Sequence, residues 1–123
     1  VKTQGGKRFG GFTTATWDQE DDDYVDDPKA FTFSLDKKKV YPFRKNGKAI
    51  YCRDDYGPSF GCGGGGGNDF RILGNCLVSN SAYTYETSPY CSFDYGGDKN
   101  ALSEDGVKGG FRILECEVYK VYF

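Results

Sequence analysis

Residues 30 to 43 read AFTFSLDKKKVYPF. The first six alternate, with Phe31, Phe33 and Leu35 on one side and Ala30, Thr32 and Ser34 on the other. That period of two is the mark of a half-buried β-strand. KVYPF (39–43) brings Val40 and Tyr41, but Pro42 has no N–H to give a ladder, which restricts the segment to a sheet edge or a strand end. The stretch therefore predicts β-structure.

Working outward, the same pattern recurs. GGFTTATW (10–17) places Phe12, Thr14 and Thr16 opposite Thr13, Ala15 and Trp17. The short AIYC (49–52) follows Asn46-Gly47, so 39–52 is expected to be a hairpin. DFRIL (69–73) and FRILECEVYKVYF (111–123) are strand-like, the latter with partial burial expected on both faces. FRIL occurs twice, at 70–73 and 111–114. The match does not extend beyond the tetrapeptide, so two strands in similar environments are expected, not an internal repeat. Helical spacing is sparse, and only NALSEDG (100–106) suggests a single turn. The expected fold is mostly β, a two-sheet antiparallel β-sandwich with at most one or two short helices, in one domain over 1–123.

Composition narrows the function classes. The 123 residues carry 16 basic and 18 acidic side chains, a net charge of −2, which gives no basic excess for nucleic acid. No apolar run approaches the ~18 residues of a membrane span. With no histidine in the chain, Ser-His-Asp and Cys-His arrangements cannot be built from it. Glu115 and Glu117, at i and i+2 on one expected strand face, are the nearest thing to a catalytic carboxylate pair, with Asp69 as a third group; salt bridging to basic neighbours is the plainer reading. The aromatic side chains Tyr83, Tyr85, Tyr90, Phe93 and Tyr95 are read as core and loop anchors rather than as a ligand platform.

GPSFGCGGGGGNDF (57–70) holds seven of the eighteen glycines. Gly61, Gly63 and Gly66 fit a phosphate-loop spacing, but a helix must open directly after that motif, and here a strand pattern follows. A tight connection between strands is expected instead. The acidic run DQEDDDYVDD (18–27) lacks the central glycine and terminal glutamate of a calcium loop and is read as a solvated connection. Cys52, Cys62, Cys76, Cys91 and Cys116 are odd in number and without paired knuckles. Buried thiols, one or two disulfides in an oxidising compartment, and a structural metal all stay open.

Taken in order, these segments resemble the TLDc domain, the module of the oxidation-resistance proteins. Gly10, Gly11, Phe12 and Trp17 match its Gly-Gly-aromatic strand. Asp27, Ala30, Phe31, Phe33, Ser34 and Leu35 match its Asp-x-x-Ala-Phe-x-Phe-Ser-Leu strand. Gly57, Pro58, Phe60 and Gly61 match its Gly-Pro-x-Phe-Gly turn, Asp69 opens the next strand, and Glu117 and Val118 match its closing strand. The family domain usually begins earlier, so the resemblance implies that its N-terminal part is missing here. It also implies a two-sheet sandwich, no catalytic site and no cofactor. It further implies a regulatory or stress-protective role through other protein chains, the vacuolar proton ATPase among them, and a cytoplasmic setting. The odd cysteine count motivates an alternative, a structural block of a secreted or surface assembly in which copies of the chain are cross-linked by disulfides.

Overall fold

The computed structural model describes residues 1–17, 23–52, 56–62, 68–73, 81–84, 91–98, 100–103 and 110–122. Among these residues the chain forms no helix and ten strands: β1 (Lys2–Thr3), β2 (Phe9–Phe12), β3 (Asp23–Val25), β4 (Phe31–Ser34), β5 (Lys39–Pro42), β6 (Ile50–Cys52), β7 (Tyr56–Phe60), β8 (Phe70–Leu73), β9 (Ser81–Thr84) and β10 (Gly110–Glu115). Seven strands follow the order β1-β10-β9-β8-β7-β6-β3, and three follow β2-β4-β5. Every pairing is antiparallel. Lys2 also bridges to Arg8, so β1 carries the chain from the margin of the large sheet into the small one.

The two sheets meet through aromatic rings. Phe9 of β2 sits edge-on to Phe70 of β8, 5.3 Å between centroids, and Phe60 stacks on Phe70 at 5.0 Å. Gly10 and Gly11 make this approach possible. A Cβ on Gly11 would lie 2.6 Å from the Phe60 ring inside the sandwich, and one on Gly10 would lie 2.8 Å from the Phe33 ring outside it. The Gly-Gly pair thus lets a ring lie against the β2 backbone on each face. Trp17 closes on the other side of Phe60, edge-on at 5.3 Å.

Several expectations are corrected. The alternation expected in β4 is present, and the smaller side chains take the inside. Thr32 and Ser34 are buried, whereas Phe31 and Phe33 are half-buried on the outer face and Leu35 is 54% exposed. The interior over β4 is already filled by Tyr41 and Tyr95, whose rings lie 4.9 Å apart. Only small side chains fit beneath them, and the Thr32 hydroxyl donates to the Tyr95 hydroxyl at 3.2 Å. Outside, Phe31 stacks on Phe12 at 5.1 Å. Pro42 does fall on an edge strand, β5.

Residues 39–52 are not a hairpin. Asn46-Gly47 does turn the chain, with the Lys48 N–H donating to Asn46 Oδ1 and Gly47 at φ 79°. However, β5 pairs with β4 and β6 with β3 and β7, so the turn passes from one sheet to the other. In the first motif the strand ends at Phe12, and Thr13 and Thr14 leave it to bond Asp27. The acidic run is only partly a connection: Asp23–Val25 is β3 and Asp27 is buried, while 18–22 lie outside the described residues. Gly57 and Pro58 are not in a turn either. They sit inside β7, where Tyr56 faces Leu73 and Ser59 faces Arg71, so β7 carries one extra residue as a bulge. A bulge tolerates a proline that has no N–H to share. Residues 101–103 are not helical, and the rest of the expected turn at 104–106 lies outside the described residues.

The two FRIL segments flank one strand. β8 and β10 both pair with β9, and Ala82 stands opposite Ile72 on one side and Phe111 on the other. Similar neighbours explain the similar sequence. The closing strand is shorter than expected. It stops at Glu115, whose partner Lys2 belongs to a strand of two residues. Beyond that point nothing among the described residues continues the ladder. Residues 116–122 are outside the sheet, and Glu117 therefore does not share a strand face with Glu115.

Asp27 supplies a pH-dependent fastening. Its carboxylate accepts from the Thr13 hydroxyl (2.6 Å), the Thr14 N–H (2.5 Å) and hydroxyl (2.8 Å), and the Lys29 N–H (3.1 Å). Burial pushes its pKa up, but these donors outweigh burial and hold it below the ordinary 3.8. A depressed carboxyl stabilises the fold above its unfolded-state pKa and loses that contribution as pH falls through the folded-state value. Asp27→Ala is expected to cost about 2 kcal/mol at neutral pH. The gap between variant and wild type should narrow below about pH 4, measured by urea unfolding across pH.

Candidate functional site

Asp69 ends the glycine-rich connection and is fully buried. Its carboxylate accepts from the backbone N–H groups of Ser92 and Phe93 and from the Tyr95 hydroxyl, each at 3.0 Å. Burial raises the Tyr95 pKa well above its ordinary value, and the Asp69 charge adds to the effect. The phenol therefore stays a donor. Beside it, Asn68 donates to the Gly61 carbonyl at 2.8 Å and accepts from Arg71 Nε at 2.8 Å. Ser92 Oγ accepts from the Cys62 N–H at 2.9 Å and from Asn46 Nδ2 at 3.1 Å. Gly61, at φ +77°, is the turn itself; a Cβ there would fall 2.1 Å from Asp69 Oδ1. Both ends of the run Gly63 to Gly67, which lies outside the described residues, are fixed by this hub.

The hub presents Cys62 at the surface. Lys48 Nζ lies 3.9 Å from its Sγ and 5.2 Å from the centre of the Tyr24 ring. Burial raises the Tyr24 pKa, and its hydrogen bond with Cys62 raises it further. Cys52, Cys62, Cys91 and Cys116 are thiols, with no disulfide joining them. Cys52 and Cys91 are buried and Cys62 and Cys116 half-buried, while Cys76 lies outside the described residues.

Sequence reasoning singled out Asp69 as the head of a strand and as a third carboxylate beside Glu115 and Glu117, and missed Ser92, Tyr95, Thr32 and Asn68 as its companions. The one available signal was an Asn-Asp pair placed directly before an apolar strand, where charge without a partner would be costly to bury. Glu115 and Glu117 are exposed while Asp69 is buried, so the three carboxylates do not converge. Phe93 and Tyr95 are core as expected; Tyr85 and Tyr90 lie outside the described residues.

Among the described residues two exposed apolar regions remain. The first is the segment after β10, where Val118 is 75% exposed, Tyr119 74%, Val121 52% and Tyr122 81%. Tyr119 donates its hydroxyl to Glu117, which raises the phenol pKa, and Lys120 Nζ lies 5.4 Å from the Tyr122 ring. The second is the outer face of the small sheet, where Val40 is opposite Phe33. Single exposed apolar residues are ordinary on a protein surface, but contiguous ones mark interaction sites.

A two-sheet antiparallel sandwich, fastened by a buried carboxylate and leaving apolar side chains bare beyond its last strand, defines the class as a domain that is all-β among its described residues, with surfaces suited to protein interaction. The family profile of the TLDc domain matches residues 1–122 of the 123, and the chain belongs to that family. No curated protein and no solved structure matches it. No helix among the described residues is long and apolar enough to cross a membrane.

Proposed function

We propose that this domain is a non-enzymatic protein-binding module whose regulatory or stress-protective role is exercised through its partners, with the peripheral subunits of the vacuolar proton ATPase as the partner. Membership of the TLDc family supports the coarser part, a role in oxidation resistance or protein interaction. The observation that carries the reading is the C-terminal segment. Its large apolar side chains, from Val118 to Tyr122, stand in solvent on a chain that otherwise buries a full aromatic core. Tyrosine in such a position supplies large contact area at low entropic cost, which is why it recurs at binding hot spots.

The test is affinity capture with the immobilised chain at low salt. The peripheral subunits should be enriched, and the triple variant Val118→Ser/Tyr119→Ser/Tyr122→Ser should lose at least about tenfold of that enrichment. Recovery of none of these subunits by the wild-type chain removes the proposed partner. The same segment offered to a second copy of the chain would show as a concentration-dependent rise in mass. A disulfide-linked assembly would show as a ladder on non-reducing gels that collapses on reduction.

A further inference from the structure

At one end of the small sheet the β1–β2 connection and the β4–β5 turn lie side by side. Leu35 N–H donates to the Arg8 carbonyl at 3.0 Å, and Arg8 pairs with Asp36 at 3.0 Å. Lys7 acts on Asp36 as well, while Lys37 pairs with Asp98 at 2.5 Å and Lys39 acts on the same carboxylate. With Lys38 at the tip of the turn, five cations gather here against two carboxylates. Among the described residues this end therefore carries +3, in a chain whose net charge is −2.

Bare apolar side chains border the same cations. Val40 is the cross-strand neighbour of Phe33 and shares its outer face, and Leu35 is the first residue of the turn that follows β4. Leu35 is 54% exposed and Val40 63%, whereas Phe33 is half-buried. Lys38, at φ 53°, holds the left-handed position of the turn between them. The turn thus carries two exposed aliphatic side chains beside its cations, with Lys38 at its tip and Lys39, opposite Ser34, on the other face of the sheet from Val40.

We propose that this end of the small sheet docks on an anionic lipid surface, with Leu35 and Val40 entering the boundary between headgroups and acyl chains and Lys38 and Lys39 lying among the headgroups. A bilayer offers negative charge and hydrocarbon in adjoining layers, which matches cations and aliphatic side chains placed side by side at one turn. An acidic protein would match the cations but leave Leu35 and Val40 without a complement. The site is distinct from the C-terminal segment assigned above to a protein partner, and each stands or falls without the other.

Co-sedimentation of the intact chain with phosphatidylcholine vesicles, with and without phosphatidylserine, tests this. The chain should partition onto the phosphatidylserine vesicles, little onto neutral ones, and less as salt is raised. Lys38→Gln/Lys39→Gln should weaken partition about twenty-five-fold, about fivefold for each cation. Leu35→Ser/Val40→Ser should weaken it about tenfold. All four positions are exposed, and an unchanged urea midpoint verifies that both variants fold. Four results would overturn the proposal: no partition at low salt, equal partition onto neutral vesicles, full binding by either variant, or release by inorganic phosphate at concentrations that leave the bilayer charge unscreened. Binding to polyglutamate without binding to vesicles would assign the cations to an acidic protein instead and also overturn it.

Discussion

Asp69→Ala is expected to lower the unfolding free energy by about 4 kcal/mol, a large share of what a domain of this size has. Removing the carboxylate leaves the N–H groups of Ser92 and Phe93 buried with no acceptor there and takes one partner from the Tyr95 hydroxyl. Each buried donor left unsatisfied costs about 1–3 kcal/mol, and the position is 0% exposed. Asp69→Asn keeps one acceptor and turns a donor toward the others, so about half the loss is expected. Urea unfolding reads both. A midpoint for Asp69→Ala close to wild type would mean that the hub does not fasten the fold.

Gly61→Ala is expected to cost about 3 kcal/mol, from a Cβ at positive φ and from overpacking. The new methyl would fall 2.1 Å from Asp69 Oδ1 and 2.8 Å from Asp69 Cβ, neither of which can retreat while the carboxylate is held from three directions. The two substitutions must therefore couple. In an Asp69→Ala background the clash with the carboxylate vanishes and the 2.8 Å contact with Cβ remains, so the double variant should be more stable than the sum of the singles by about 1–2 kcal/mol. Strict additivity in that cycle would contradict the contact.

These two residues also show how far the sequence reaches. The existence of most strands was legible, because alternation is local: β4, β6, β8 and β10 lie where the pattern puts them, β10 taking only the first part of the strand expected over 111–123. Which face turns inward was not. Phe31 and Phe33 outrank Thr32 and Ser34 in apolarity, yet Tyr41 and Tyr95 had already taken the interior, and the position of Tyr95 depends on contacts 63 residues from Thr32. The Asn46-Gly47 turn was legible as a turn, but a turn does not say whether its two strands share a sheet. Pro58 likewise signalled a break, and the fold absorbed it as a bulge within β7. The end of β10 depends on how long its neighbour is, and β1 offers only Lys2 and Thr3.

For the candidate sites the division is the same. Asp69 and Gly61 stood out as members of a family pattern, whereas the reason they occur together is geometric and appears only when Ser92–Tyr95 closes over them. The C-terminal apolar segment was visible as composition and misread as strand, since composition alone does not separate a side chain waiting for a core from one waiting for a partner. The cationic end of the small sheet could not be read from net charge, because the acidic residues elsewhere in the chain cancel it.

Direct titration of the purified chain against the isolated peripheral sector of the vacuolar proton ATPase, by calorimetry or interferometry, tests the central reading most directly. Saturable binding is expected, weakened at least about tenfold by Tyr119→Ser/Tyr122→Ser and unchanged by Lys38→Gln/Lys39→Gln. No binding by the wild-type chain, or full binding by the tyrosine variant, would contradict it.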